Sequence, residues 1–171
     1  MVAASDTSPI SNLACIGRLQ LLKSQFDYVC VPEAVLTELQ RMPNVEARSS
    51  IEQALQAGWL RCRPVGNQRL AAALANDLDQ GEAEAIALAT EIQADVLLID
   101  EKEGRSVARQ AGLPVRGVLG VLMRAKTEAQ IDSVKAEVEA LRTRAGFFVA
   151  PSLEAEVLRG VGEQPSRTTT P

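Results

Sequence analysis

Four acidic residues have the types and placement that metal-dependent hydrolysis needs. Asp6 ends a short apolar run near the start of the chain, and Asp100 ends a second apolar run, VLLID. Glu38 lies within a predicted helix, and Glu82 opens another. Carboxylates that converge raise one another's pKa values, and oxygen-preferring cations such as Mg²⁺ or Mn²⁺ relieve their repulsion. Such a site can activate water and clamp a phosphodiester.

Each carboxylate also has a structural interpretation, and the sequence leaves it open. Asp6 could cap a helix that starts at Pro9, and Asp100 could cap the helix that follows it. Glu82 could complement the dipole in the first turn of its helix. Glu38 could be solvated beside an apolar stripe. Taken singly, each position favours the structural interpretation, whereas the four together favour a metal site.

The composition narrows the chemistry that is available. The chain has 171 residues, no His, and three Cys at positions 15, 30 and 62 that form no CxxC pair. Zinc sites of the usual Cys/His type and a Ser-His-Asp triad are therefore excluded, and the cysteines are predicted to be buried free thiols. A net charge of −4 argues against non-specific coating of nucleic acid, and 3% aromatic residues argue against an extensive base-stacking platform.

Predicted strands alternate with predicted helices along the chain, which is typical of an α/β fold with a parallel sheet. Strands are predicted at residues 2–5, 26–31, 59–65, 96–100 and from about 114. Helices are predicted at 9–22 with a break near Gly17, from 32 to Pro43, and at 45–57, 68–75, 82–93, 101–112, 118–126, 130–143 and 153–159. Asp6 and Asp100 would be neighbours if the first and fourth strands lie side by side.

The domain organisation is simple. We expect one domain over residues 1–160 and a flexible tail over 161–171. The longest apolar run is too short for a membrane helix, and the start of the chain lacks the pattern of a signal peptide, so a cytoplasmic protein is expected.

Five segments together resemble the PIN-domain family. They are DTSPISNLA at 6–14, VPEAVLTEL at 31–39, GEAEAIALA at 81–89, LLIDEKEGR at 97–105 and VRGVLGVLMRAK at 115–126. The resemblance covers roughly residues 1–150. It implies a three-layer α/β/α sandwich whose parallel sheet has the order 3-2-1-4-5. It also implies a metal-dependent ribonuclease, often the VapC-like toxin of a virulence-associated toxin–antitoxin pair.

The resemblance assigns roles by position. Asp6, Glu38, Glu82 and Asp100 match the family's acidic catalytic residues, and Thr7 or Ser8 matches the small hydroxyl residue that supports the site. Asp6, Glu82 and Asp100 would hold Mg²⁺ or Mn²⁺, directly or through water.

Close relatives often carry two consecutive Asp residues where this chain has Asp100 and Glu101. Glu101 is a further candidate ligand that could bind through water, and the number of metals stays open. Arg105 could meet a substrate phosphate or pair with Glu101, one turn back.

The partners that the resemblance implies are an RNA substrate and an antitoxin. Apolar helices around residues 10–22 and 35–55 are candidate surfaces for that partner or for a homodimer. The main alternative is a catalytically inert PIN-like binding or regulatory module. A phosphatase ranks lower because Thr7 and Ser8 follow Asp6 in place of a DxD motif, and GLPVRGVLG lacks the GxGxxG pattern of dinucleotide binding.

Overall fold

A computed structural model describes residues 1–165, and residues 166–171 of the predicted tail lie outside them. The central sheet contains five parallel strands in the order β3-β2-β1-β4-β5. The strands are β1 (Val2–Ser5), β2 (Tyr28–Val31), β3 (Leu60–Cys62), β4 (Val96–Leu98) and β5 (Val115–Arg116). The predicted fold class and strand order are confirmed.

Helices cover both faces of the sheet, because a parallel sheet with apolar residues on both sides must be buried on both sides. In chain order they are α1 (Thr7–Cys15), α2 (Gln20–Gln25), α3 (Glu33–Gln40), α4 (Val45–Gln56), α5 (Gln68–Leu74), α6 (Gln80–Glu91), α7 (Lys102–Gln110), α8 (Val118–Thr127), α9 (Val134–Arg144) and α10 (Pro151–Gly160).

Successive side chains of β1 and β4 point to opposite faces of the sheet, so the core is divided into two clusters, one on each face. Ala3 and Leu98 pack in the larger cluster, with apolar residues of α1, α4, α8 and α9. Ala4 and Leu97 pack in a second cluster, with α6 and α7. All four strand residues are fully buried. The sheet is thus the middle layer of a three-layer sandwich.

The predicted break near Gly17 is confirmed, whereas several element boundaries differ from the prediction. Gly17, at φ +71°, separates α1 from α2, but α1 begins at Thr7 and not at Pro9. The helix predicted from residue 130 begins at Val134, because the hydroxyl of Ser133 caps it by accepting from the Ala136 N–H. β4 ends at Leu98, so Asp100 lies in the loop that follows the strand.

Two expectations about apolar and thiol groups need correction. Most large apolar side chains in 10–22 and 35–55, including Ile10, Leu22 and Leu39, are buried in the core and so are not available to a partner, whereas Val45 is 66% exposed. The cysteines are free, but Cys62 is exposed and only Cys30 is fully buried.

The start of the predicted tail contacts the domain. Glu163 accepts hydrogen bonds from the Val134 N–H at 2.7 Å and the Lys135 N–H at 3.0 Å, at the first turn of α9. Among the helices of residues 1–165, none combines the length and hydropathy that a membrane span requires.

Candidate active site

The carboxyl ends of β1 and β4 bring Asp6 and Asp100 to the same edge of the sheet. Ser5 pairs with Leu98, and the Asp6 N–H donates to the Leu98 carbonyl at 2.9 Å, so Asp6 continues the ladder beyond β1. Asp100 follows two residues after Leu98. Function in open parallel sheets collects at this edge, where the strand order reverses.

Asp6 is a buried carboxylate surrounded by like charges. It occupies the N-cap position of α1, yet within residues 1–165 its side chain makes no capping hydrogen bond. Only 4% of the Asp6 surface is exposed to solvent. Burial raises the pKa of Asp6 to about 7, as do the charges of Asp79, Glu82 and Glu38, while the Thr7 amide partly opposes the shift. The capping interpretation of Asp6 therefore fails, because in the described part of the chain its side chain makes no capping hydrogen bond to α1.

Gly81, in the first turn of α6, marks the point where carboxylates from three segments meet. A Cβ atom at Gly81 would lie 3.0 Å from Glu38 Oε1 and 3.3 Å from Asp6 Oδ1. It would also lie 3.4 Å from Asp79 Oδ1. The absence of a side chain lets these oxygens gather at the positive end of the α6 dipole.

Glu82 combines a structural role with a free oxygen. Its N–H donates to Asp79 Oδ1 at 2.8 Å, and its own Oε2 accepts from the Asp79 N–H at 3.3 Å, which completes a capping box. Within the described residues, Glu82 Oε1 is buried and has no hydrogen-bond partner. Burial raises the pKa of Glu82, and the charges of Asp79, Glu101 and Glu103 add to the shift.

Thr7 connects Glu38 to this cluster. Although Glu38 is exposed, its Oε2 accepts a hydrogen bond from the Thr7 hydroxyl. Ser8, the alternative supporting residue, contributes its backbone carbonyl to the Ser11 hydroxyl at 3.1 Å. Thr7 is therefore the hydroxyl that reaches an acidic residue of the site.

Asp100 is held by hydrogen bonds on both carboxylate oxygens. Oδ1 accepts from the Val118 N–H at 2.7 Å, at the start of α8, and Oδ2 accepts from Asn12 Nδ2 at 3.5 Å. Burial raises the pKa of Asp100 to about 6, and these two donors together with the charge of Arg105 oppose the shift. Asp100 thus has different neighbours from Asp6, although both lie at one edge.

Arg105 lies beside Asp100. A Cβ atom at Gly117 would lie 2.7 Å from Asp100 Oδ1 and 2.8 Å from Arg105 Nη1, so the two groups flank one point. Arg105 Nη1 donates to the Ile99 carbonyl at 3.1 Å. Among the ion pairs of residues 1–165, none joins Arg105 to Glu101, so the surface-pair interpretation of Arg105 is wrong.

Two members of this arrangement escaped sequence reasoning. Asp79 caps α6 and is the strongest of the charges acting on both Asp6 and Glu82. Its signal was the D-x-x-E spacing of a capping box, directly before an apolar run. Asn12 is 8% exposed within an otherwise apolar part of α1, and a buried polar side chain there indicates a partner.

The donor set fits a hard divalent cation, with one restriction. Carboxylate oxygens are the ligands that Mg²⁺ and Mn²⁺ prefer, and the unpartnered Oε1 of Glu82 is an open donor. As the side chains stand, no three acidic or thiol groups of residues 1–165 are close enough to form a ligand cluster. Because Mg²⁺ usually keeps several waters and takes only one or two carboxylates, the arrangement fits an ion bound partly through water.

Comparison with known proteins gives one match. A family model described as a PIN domain matches residues 2–163, which is nearly the whole chain. The searches of curated proteins and of solved structures found no match to this chain.

Proposed function

The chain belongs to the PIN-domain family, whose members are generally nucleases, and from this premise we propose that it is a metal-dependent ribonuclease. The observation that carries the proposal is Asp6, a buried carboxylate among like charges. An unpaired buried charge is costly, and a sequence keeps one where the charge is used. A bound cation offsets this cost.

Some residues of the site would bind the cation, and Thr7 orients a neighbouring carboxylate. Asp6, Glu82 and Asp100 would hold Mg²⁺ or Mn²⁺, directly or through water, and Glu101 would bind the ion through water. When bound, the ion lowers the pKa of water and stabilises negative charge on the phosphodiester. Thr7 orients Glu38, which adds negative charge beside Asp6. The role proposed for Glu101 is supported by its negative charge, which helps to raise the pKa of Glu82.

Arg105 and the ionisation of Asp6 complete the proposed mechanism. Arg105 contacts a phosphate of the substrate strand beside Asp100, since its guanidinium and that carboxylate flank Gly117. Asp6 must be deprotonated to bind a cation. Because its pKa is about 7, cation binding and activity rise as pH increases through neutrality.

As a toxin, the protein would need an inhibitor, and the acidic cluster suits one chemical type. An antitoxin segment that inserts an Arg or Lys among Asp6, Glu38 and Asp79 would neutralise their charge and compete with the cation. This role rests on the family and on the charge of the cluster.

The alternative, a catalytically inert PIN-like binding module, is favoured by one observation. The described side chains form no ready three-ligand cluster, as an inert descendant of a nuclease would also show. A nuclease and an inert binding module predict different results in an RNA cleavage assay.

We would test the function by incubating labelled single-stranded RNAs with Mn²⁺, Mg²⁺ or EDTA. The wild type is compared with Asp6→Asn, Asp100→Asn and Asp77→Asn, the last at an exposed carboxylate outside the cluster. We expect cleavage that requires the metal, is lost in the first two variants and persists in Asp77→Asn. A folded wild type that cuts none of the RNAs under any condition would support the inert module.

A further inference from the structure

A cavity of about 450 Å³ opens directly beside Asp100 and Arg105. Its walls are β5, the first turns of α8, and the segment from Phe147 into α10. The volume lies in the range of small-molecule sites. The sheet edge that carries Asp6 and Asp100 is called the acidic edge below. The cavity is continuous with it because Asp100 also lines the cavity.

Gly117, which precedes α8, and Gly120, in its first turn, keep the polar side chains of this cavity close to the helix backbone. A Cβ atom at Gly117 would collide with Asp100 and Arg105. A Cβ atom at Gly120 would lie 2.7 Å from Cγ of Arg116. The GVLG stretch, which matches no dinucleotide motif, thus has a steric role in seating two arginines and one carboxylate.

The remaining wall is apolar and includes an aromatic ring. Leu119, Met123 and Val157 form it, together with Phe147 and the 44% exposed Leu153. The chain has only five aromatic residues, and Phe147 and Phe148 are adjacent here. Aromatic and apolar surfaces beside a phosphate-binding residue are what unstacked RNA bases bind.

The charged groups of the cavity are mixed. Arg105 and Arg116 provide positive charge, whereas Asp100 and Glu156 provide negative charge. Arg116 lies with its guanidinium carbon 5.8 Å from the ring centroid of Phe26, and within the described residues its buried Nη1 has no hydrogen-bond partner. A simple anion would need a net positive cavity. A nucleotide carries both an anionic phosphate and base N–H donors, which match the arginines and the carboxylate of Glu156.

We propose that this cavity binds one nucleotide of a single-stranded RNA, next to the phosphodiester at the acidic edge. The base contacts Phe147 and the apolar wall, and the phosphate contacts Arg105. The inference rests on the proposed nuclease function, for which it names a substrate subsite.

The test measures nucleotide binding in EDTA, so that neither metal nor cleavage is needed. The ¹⁵N-labelled protein is titrated with each of the four nucleoside 5′-monophosphates, with the unphosphorylated nucleosides and with inorganic phosphate. We expect saturable shifts of the Gly117 and Gly120 amide resonances with at least one monophosphate. The corresponding nucleoside and inorganic phosphate should each bind more weakly than that monophosphate. Base–aromatic stacking predicts that Phe147→Ala raises the dissociation constant about 5- to 160-fold.

Matched variants separate binding from folding. Phe148→Ala removes the neighbouring ring, which is 80% exposed and does not line the cavity, and should leave affinity within about twofold. Because Phe147 also packs against the core, the exposed rim residue Leu153 supplies a second pair. Leu153→Glu should weaken binding of the phosphate group, whereas Leu153→Lys should not.

Three outcomes would overturn the cavity proposal: no shifts with any monophosphate, equal affinity in Phe147→Ala and Phe148→Ala, or concentration-dependent shifts without nucleotide, which would assign the cavity to a second copy of the chain. RNA cleavage without nucleotide binding here would contradict the subsite and leave the nuclease proposal standing. Nucleotide binding here by a protein that cuts no RNA would contradict the nuclease proposal alone.

Discussion

The substitution Asp6→Asn should stabilise the metal-free protein while removing its activity. Asn has nearly the same shape as Asp but carries no charge, so it avoids the burial cost and the repulsion from Asp79, Glu82 and Glu38. Function and stability conflict at this position because the carboxylate is kept for a ligand. A residue that only capped α1 would show the opposite effect, with a loss of stability on substitution.

The pKa of Asp6 sets the size and sign of the effect. The folded pKa of about 7 exceeds the ordinary Asp pKa of 3.8, so the stability linked to protonated Asp6 is complete below pH 3.8 and is lost as pH rises through about 7. The total is about 4 kcal/mol, at about 1.4 kcal/mol per pH unit between those values. Asn does not titrate, so the advantage of Asp6→Asn should grow between pH 5 and pH 7 and stay constant above pH 8.

Urea unfolding in EDTA at pH 5, 6, 7 and 8 measures this advantage directly. We expect the free energy of unfolding of Asp6→Asn to gain about 3 kcal/mol relative to wild type between pH 5 and pH 8. In thermal unfolding at pH 8, the variant should unfold roughly 10 °C higher than the wild type. Asp77→Asn, at an exposed carboxylate, should follow the wild type. An advantage that does not change with pH, or a destabilised Asp6→Asn at pH 8, would refute the assignment of Asp6 as an uncompensated buried carboxylate.

Two further substitutions test the support around the acidic edge. Asn12→Leu removes a donor that lowers the pKa of Asp100, so the Asp100 carboxyl should titrate at higher pH than in the wild type when the metal-free protein is followed by ¹³C NMR. An unmoved Asp100 titration would contradict a positioning role for Asn12. Gly104→Ala places a Cβ atom 2.5 Å from Ile99 Cδ1 and 2.7 Å from Glu82 Oε1, so we expect about 1–3 kcal/mol of destabilisation in urea. Ser106→Ala, on the exposed face of α7, serves as the control.

The sequence predicted the elements that position the site better than it predicted the contacts within it. Strand–helix alternation placed Asp6 and Asp100 at the carboxyl ends of two parallel strands, and the strand order implied by the family resemblance made those strands neighbours, as the structure shows. Asp79 was missed because its contribution depends on how the loop before α6 turns toward β1. Asn12 was missed because only the tertiary fold brings its amide to Asp100.

The cavity beside Asp100 was beyond sequence reasoning for a similar reason. It exists because the segment around Phe147 and the start of α10 return to β5 and α8, about thirty positions earlier in the chain. Neither periodicity nor local motif encodes that return. The two glycines of GVLG carried a signal, but their meaning required the neighbouring side chains that a Cβ atom would strike.

The central claim is that the Asp6 cluster binds a divalent cation, and calorimetric titration of Mn²⁺ into the metal-free protein at pH 8 tests it most directly. We predict saturable binding by the wild type and by Asp77→Asn, and loss of that binding in Asp6→Asn. Binding that is absent in the folded wild type, or that persists unchanged in Asp6→Asn, would contradict the account.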